Sequence, residues 1–337
     1  MPSGNAPSIN ELRDAAEVAT MVAAASEAGV FQALAQGAAT PAEVASSTEI
    51  DGRAAGILLP ALAEAGLLAR AEGRFRLMPD AARQLTQPDS PAYVAGGLGL
   101  WLHNLRAMVE LPTVLRTGEP VVERVEGTDG DAIARFMAAM ASAPAERVRR
   151  AVELCLDRAP DARTVLDVGG GPGHYARAFI DAGLEATLFD QPETIDYVAD
   201  AYGLSDVAGL RLVPGDFMED ELPGGPFDIV LLSNILHIYS PDRNRALLRK
   251  VAGVTAGGGL AAIQEFVRGR SPRAARFAII MLLRTEGGNT YGEYEYGDWL
   301  EEAGYQNVRI DDVDSERQLV TGLRADGANA TDGADEA

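Results

Sequence analysis

The stretch "TVLDVGGGPGHYARAF", residues 164–179, runs from an apolar strand pattern through three glycines and a Pro-Gly pair into a helical pattern. Strand, glycine turn and helix in this order form the first unit of a doubly wound α/β sheet, in which ligands sit beyond the carboxyl ends of the strands. Glycines let the backbone approach a ligand closely, and the helix start presents free N–H groups. A dinucleotide fingerprint requires G-x-G-x-x-G. Gly169 and Gly171 fill the first two places, but His174 stands in the last, and the glycines instead run G-x-G-x-G to Gly173. A P-loop requires Gly-Lys-Ser/Thr, and the loop contains no lysine.

From residue 163 onward, "RTVLDV", "EATLFD", "LRLVPGD", "FDIVLLSNIL" and "GLAAIQEFV" alternate with helical patterns, and "NVRIDDV…QLVTGL" closes the series. Such alternation predicts a mostly parallel sheet with helices on both faces. Upstream, residues 9–36 read as a helix closed by Gly29. Residues 39–79, "ATPAEVASSTEIDGRAAGILLPALAEAGLLARAEGRFRLMP", hold two helix starts, at Thr40-Pro41 with Glu43 and near Asp51, a stop at Gly66, and an alternating hairpin. This is a winged-helix pattern. Its candidate recognition helix, "DGRAAGILLPALAEAG", carries one arginine and two acids, so dimerisation is expected rather than DNA binding. Four parts follow: a winged-helix-like dimerisation domain at 1–90, a helical linker or lid at 91–158, an α/β domain at 159–323, and a disordered tail at 324–337 without large apolar residues.

The chain of 337 residues carries 50 acidic and 29 basic side chains, a formal charge of −21. Nucleic-acid binding depends on neutralising phosphates with Lys and Arg, so no nucleic-acid partner is expected. The sole cysteine, Cys155 in a helical pattern, excludes an internal disulfide and a Cys-based zinc cluster; a buried structural thiol is expected, and no metal. No stretch reaches the roughly 18 uninterrupted apolar residues of a membrane span, and a cytoplasmic protein is expected. His103, His174 and His237 are the only histidines, so imidazole catalysis has few candidates.

Acids follow the glycine loop on successive strand ends. Asp190 closes "ATLFD" and can accept ribose hydroxyls. Asp216 follows the next strand in "PGDF", where it could take an adenine amino group while Phe217 packs on the ring. His237, in "LLSNILHIYSPD", follows the fourth strand, and a histidine there can act as a general base.

The ordered set "LDVGGGPGHYARAF", "FDQP", "GDFM" and "SNILHIYSPDRNRALLRKV…GGGLAAIQEF" resembles the motifs of S-adenosylmethionine-dependent small-molecule O-methyltransferases, those related to plant caffeate enzymes and bacterial polyketide-tailoring enzymes. The resemblance spans roughly residues 10–322. It implies a Rossmann-like methyltransferase domain, S-adenosyl-L-methionine as cofactor, a homodimer, and a small aromatic or polyketide-type acceptor. It further implies cofactor contacts from Asp167, Gly169, Gly171, Gly173, Asp190, Gln191, Asp216, Phe217 and Ser233. His237 becomes the general base and Glu265 its partner. Met140, Met281, Trp101, Asn234 and Tyr291 become acceptor contacts, although Trp101 read from its residues alone is a core or interface aromatic. The sequence departs from the family in three places: Thr290 stands where a second glutamate is expected, with Glu286 and Glu293 nearby; His-Asp-Trp reads His237-Ile238-Tyr239; and Ser233 replaces a Lys or Arg. These departures keep open C-methylation or non-methylating chemistry on the same fold. A ligand-sensing winged-helix regulator is the rival from another class.

Overall fold

A computed structural model of the chain describes residues 7–90, 92–121 and 130–325. They fall into two compact units, one running to Arg106 and taking in Ala138–Ser142, the other holding the remaining described residues. This division differs from the expected boundaries at 90 and 158. The reason is packing: Ala95 and Leu98 lie against the N-terminal core, while Val148, Val152 and Cys155 belong to the core of the second unit.

In the N-terminal unit, α1 (Ile9–Glu27) begins with a capping box between Ser8 and Glu11. The expected single helix over 9–36 is two helices. Gly29 adopts a left-handed φ of +74°, and the chain restarts as α2 (Val30–Ala35). α3 (Pro41–Thr48) has its own capping box, Thr40 Oγ1 accepting from Glu43 N and Glu43 accepting from Thr40 N at 2.8 Å. α4 (Gly52–Glu64) is capped by Asp51, whose carboxylate accepts from Ala54 N at 2.9 Å. The antiparallel hairpin of β1 (Leu68–Ala71) and β2 (Arg74–Leu77) turns at Glu72-Gly73, both at positive φ. Phe31, Val44, Leu59, Leu62 and Phe75 form the core beneath it. α5 (Pro79–Leu85) and α6 (Ala95–Met108) follow.

The second unit opens with α7 (Leu111–Thr117), α8 (Gly130–Ala141, whose end belongs to the first unit) and α9 (Ala145–Arg158). The α/β series is β3 (Thr164–Val168), α10 (His174–Asp181), β4 (Glu185–Asp190), α11 (Pro192–Ala201), β5 (Leu210–Pro214), β6 (Phe227–Ser233), α12 (Pro241–Val254) and β7 (Thr255–Glu265). It ends with α13 (Ala274–Arg284), α14 (Glu293–Glu302), β8 (Tyr305–Asp312) and β9 (Gln318–Arg324). The seven strands lie in the order β5-β4-β3-β6-β7-β9-β8. Pairing is parallel as far as β7 and antiparallel through β9 and β8. The closing stretch is therefore a hairpin of two strands.

Both faces of the sheet are buried. Val168, Leu232, Leu248 and Trp299 pack on one side, and Val165, Phe179, Leu188 and Ile229 on the other. Strand order reverses between β3 and β6, which opens a crevice at their carboxyl ends. Among the described residues, no helix is long and apolar enough to cross a membrane.

Thr40→Ala removes the side-chain acceptor of the α3 capping box and is expected to destabilise the N-terminal unit by about 1 kcal/mol. Thr40→Ser keeps the acceptor and should stay near wild type in denaturant unfolding.

Candidate functional site

The glycine loop is held in a shape that only glycine adopts easily. Gly169, Gly171 and Gly173 have φ of +66°, +50° and +75°. A Cβ on Gly170 would lie 2.7 Å from Leu188 Cγ and 2.8 Å from Asp167 Oδ2, so the loop sits tight on β4. Gly169 N donates to Phe189 O at 2.7 Å. Asp190, at the end of β4, accepts from Gly171 N and from Gln191 N, both at 2.8 Å. The acid expected at a ribose therefore also ties the loop to the neighbouring strand.

Two polar side chains at the loop lack partners. Asp167 is fully buried, and neither carboxylate oxygen makes a hydrogen bond. Burial, and then the charge of Asp190, push its pKa from 3.8 up to about 7, against a smaller downward pull from the Ala176 N–H, which falls short of hydrogen-bond geometry. Both ring nitrogens of His174, the first residue of α10, are buried and unpartnered. Burial pulls this imidazole down to about 4, so it is neutral at physiological pH. An orphaned carboxyl and an orphaned imidazole beside a helix start suit a ligand that brings its own cation and donors. The cationic, amino-acid-bearing end of S-adenosylmethionine meets that description. Phe217 is buried and stands edge-on to Tyr239 at 6.1 Å. Asp216 is half-buried, with one carboxylate oxygen accepting from Met218 N at 2.8 Å.

The end of β6 carries the imidazole. Asn234 takes a positive φ of 62°, and a 3-10 turn, Leu236–Ile238, places His237 over the end of β7. His237 Nδ1 lies 2.7 Å from Glu265 Oε2, and His237 N donates to Glu265 Oε1 at 3.3 Å. A proton on Nδ1, held by the carboxylate, leaves Nε2 as the basic nitrogen. Both side chains are buried. Burial would raise the Glu265 pKa, but the charge and hydrogen bond of His237, with the Arg317 guanidinium behind it, hold it below the ordinary range. Ser233 Oγ accepts from Gln264 Nε2 and from Asn234 Nδ2, each at 3.2 Å, and Gln264 Nε2 donates to Tyr175 Oη at 2.6 Å. The replacement for the expected Lys or Arg thus belongs to a polar row joining β6, β7 and the loop helix.

The expected acceptor contacts are distributed unevenly. Met281 is buried on α13. Asn234 Oδ1 is buried and unpartnered. Tyr291 is buried, its Oη donating to Tyr239 O at 2.5 Å and its ring packing on Trp299 at 4.7 Å. Met140 and Trp101 belong to the N-terminal unit. No second glutamate takes the expected place. Thr290 is buried, donating to Ala274 O at 3.2 Å, Glu286 is exposed, and Glu293 is exposed and paired with Arg270 at 3.3 Å.

Three residues at the site escape sequence reading. The ring of Phe277 stands edge-on to His237 at 4.8 Å, one helical turn before Met281, a spacing that was available as a clue. Met137 is buried with its sulfur 3.5 Å from where a Gly171 Cβ would be. Arg317 lies with its guanidinium 3.2 Å above the Phe266 ring and close in charge to Glu265. No local pattern marks the last, because it arrives through the β8–β9 turn. Cys155 is fully buried and pushed up to about 12, which excludes it as a nucleophile. No His/Cys/Asp/Glu group among the described residues could hold a metal.

A glycine loop at the switch point, acids on the next strand ends and a buried His–Glu pair define a methyltransferase-type cofactor site. Residues 117–306 match the family model described as an O-methyltransferase domain, and the chain belongs to that family. It is an S-adenosylmethionine-dependent O-methyltransferase. It is 31% identical over 307 residues to a 3-hydroxy-5-methyl-1-naphthoate 3-O-methyltransferase of Streptomyces sahachiroi, covering 85% of each chain. It is 30% identical over 291 residues to an O-demethylpuromycin-O-methyltransferase of Streptomyces alboniger, covering 80% of this chain and 75% of the relative. Human N-acetylserotonin methyltransferase, solved with S-adenosylmethionine, shares the fold, with a TM-score of 0.79 over 96% of this chain and 100% of the other at 22% identity.

A carboxyl raised from 3.8 to about 7 keeps its proton in the fold where the unfolded chain has lost it, so Asp167 lowers stability as pH rises between those values. Binding a cation favours the carboxylate and releases the proton. Calorimetric titration with S-adenosylmethionine near pH 6.5 should give heats that depend on the buffer's ionisation enthalpy. Asp167→Asn should abolish that dependence and weaken binding about tenfold or more, the loss of one charge-assisted contact.

Proposed function

We propose that the chain methylates a hydroxyl oxygen of a small aromatic or polyketide-type acceptor, with His237 as general base and Glu265 as its partner. The 2.7 Å pairing of His237 Nδ1 with Glu265 carries this reading. When bound, S-adenosylmethionine supplies a methyl group activated by a sulfonium. Asp167, the loop from Gly169 to Gly173, Asp190, Gln191, Asp216, Phe217 and Ser233 would hold it. Asp167 opposes its positive charge, and Phe217 offers an apolar face to the adenine. His237 Nε2 takes the acceptor's hydroxyl proton, and the adjacent carboxylate stabilises the imidazolium that forms. The Phe277 ring stands edge-on to the imidazole at 4.8 Å, and Met281 is buried one turn further along the same helix. The hydroxynaphthoate named for the Streptomyces sahachiroi relative agrees in class with this acceptor.

The protein is proposed to act in the cytoplasm as a homodimer joined through its N-terminal unit. The motive is the first turn of α1, where Ile9 (80% exposed) and Leu12 (51% exposed) share one face that a second chain would cover.

Incubation with hydroxylated aromatics should give products heavier by one methylene, with stoichiometric S-adenosylhomocysteine; hydroxylated, decarboxylated or carbon-methylated products would overturn the reading. His237→Ala should lower kcat by about 10²–10⁴-fold, the usual contribution of a general base. Unchanged turnover would show that positioning alone suffices. Sedimentation velocity should show a dimer that Ile9→Glu with Leu12→Glu converts to monomer.

A further inference from the structure

The last residue of α13, Arg284, is 7% exposed, and both terminal guanidinium nitrogens are buried without a hydrogen-bond partner. Most of the protein's other arginines near an acid pair with it at the surface, as Arg243 does with Glu219 and Arg245 with Glu302. A cation at a helix C-terminus suits the helix dipole. That accounts for an arginine at this position but not for burying its fork unpaired, which is costly unless something compensates it.

Helix geometry shows what the side chain accompanies. Arg284 follows Phe277 by seven residues, two turns, and so lies within about 20° of it on the same face, roughly 10 Å further along the axis. Met281 lies between them. The ring of Phe277 meets His237 at 4.8 Å. Beyond Arg284 the chain folds straight back on the histidine turn, Asn289 N donating to His237 O at 2.9 Å. An unpartnered fork therefore stands on the same helix face as the ring that meets the imidazole, two turns further along.

We propose that Arg284 is a specificity-determining residue that binds a carboxylate carried by the acceptor, remote from the hydroxyl that is methylated. This deepens the proposed function and rests on it. The planar guanidinium fork matches a carboxylate with two parallel hydrogen bonds. The chain as a whole carries −21 and does not attract anions, so a carboxylated acceptor needs a local cation, and Arg284 supplies it. A neutral acceptor of the same shape leaves the fork buried and unpaired and is discriminated against for that reason.

The test compares hydroxynaphthoic and hydroxybenzoic acids with their carboxamides, using wild type, Arg284→Met and Arg284→Lys. Wild type is expected to prefer the acids by about 10–100-fold in kcat/KM, mainly through KM, as the loss of a charged hydrogen-bond pair predicts. Arg284→Met should abolish the preference while retaining turnover of the carboxamides and binding of S-adenosylhomocysteine. Arg284→Lys should restore part of it and guards against a folding defect in the methionine variant. Equal acid-to-amide ratios in wild type and Arg284→Met overturn the proposal. So does a shift from dimer to monomer without a change in ratio, which would give Arg284 to a subunit contact. Calorimetric binding of the acids in the presence of S-adenosylhomocysteine separates the two readings. Arg284-dependent binding without methylation defeats the proposed reaction and leaves the anchor standing. Binding indifferent to Arg284, or none at all, defeats the anchor.

Discussion

The contact between His237 and Glu265 joins the ends of β6 and β7, and the proposed chemistry depends on it. Glu265 is the last residue of β7, and His237 sits on the turn that leaves β6. A buried carboxylate is costly in isolation. Here it accepts from both the main chain and the ring of His237, and the Arg317 cation lies beyond it. Burial alone would protonate Glu265 and remove its hold on the ring. The pair and its cation reverse that tendency, so the imidazole is oriented by an ionised partner. Arg317 is itself supported from below by the Phe266 ring.

At the other side of the crevice the balance is left open. The charge of Asp190 adds to the cost of ionising Asp167, and Asp190, unlike Asp167, accepts full hydrogen bonds, from the Gly171 and Gln191 N–H groups. The free protein therefore holds a poorly satisfied acid where a cationic ligand is to bind. Stability surrendered in the empty loop becomes affinity when the charge is matched. The same logic applies to Arg284 with the sign reversed. The two ends of the site ask for ligands of opposite charge, and a methyl donor and an acidic acceptor supply them.

Much of the fold was legible because its signals are local. The capping residues Thr40 and Asp51, the hairpin turn at Glu72-Gly73 and the glycine loop at the first α/β turn each act within a few residues. The alternation of strands and helices carried the parallel sheet, and the order of Asp190, Asp216, His237 and Glu265 carried the site. What escaped depends on the third dimension. Gly29 was visible as a stop, but that the chain restarts at once as α2 follows from Val30 and Phe31 needing burial. Tyr291 reads from the sequence as a pocket aromatic, and its bond to Tyr239 O and its packing on Trp299 appear only in the fold. Arg317 reaches Glu265 because β9 pairs with β7 in a register that sets Gln318 opposite Glu265, a pairing no local window contains.

The departures from the family pattern bear on how much the base must do. A second carboxylate near the histidine would reinforce its basicity; here buried Thr290 is engaged with the α13 backbone instead. Transfer of a methyl group from a sulfonium to an ionising hydroxyl removes charge from the reacting centre, and a dry site favours that change. Phe277 stands edge-on to the imidazole, and Met281 is buried one turn further along α13. The proposed reaction thus relies on one oriented base without a second carboxylate beside it. In such a site the acceptor's pose matters more than the strength of the base, because an in-line approach to the methyl group converts directly into rate.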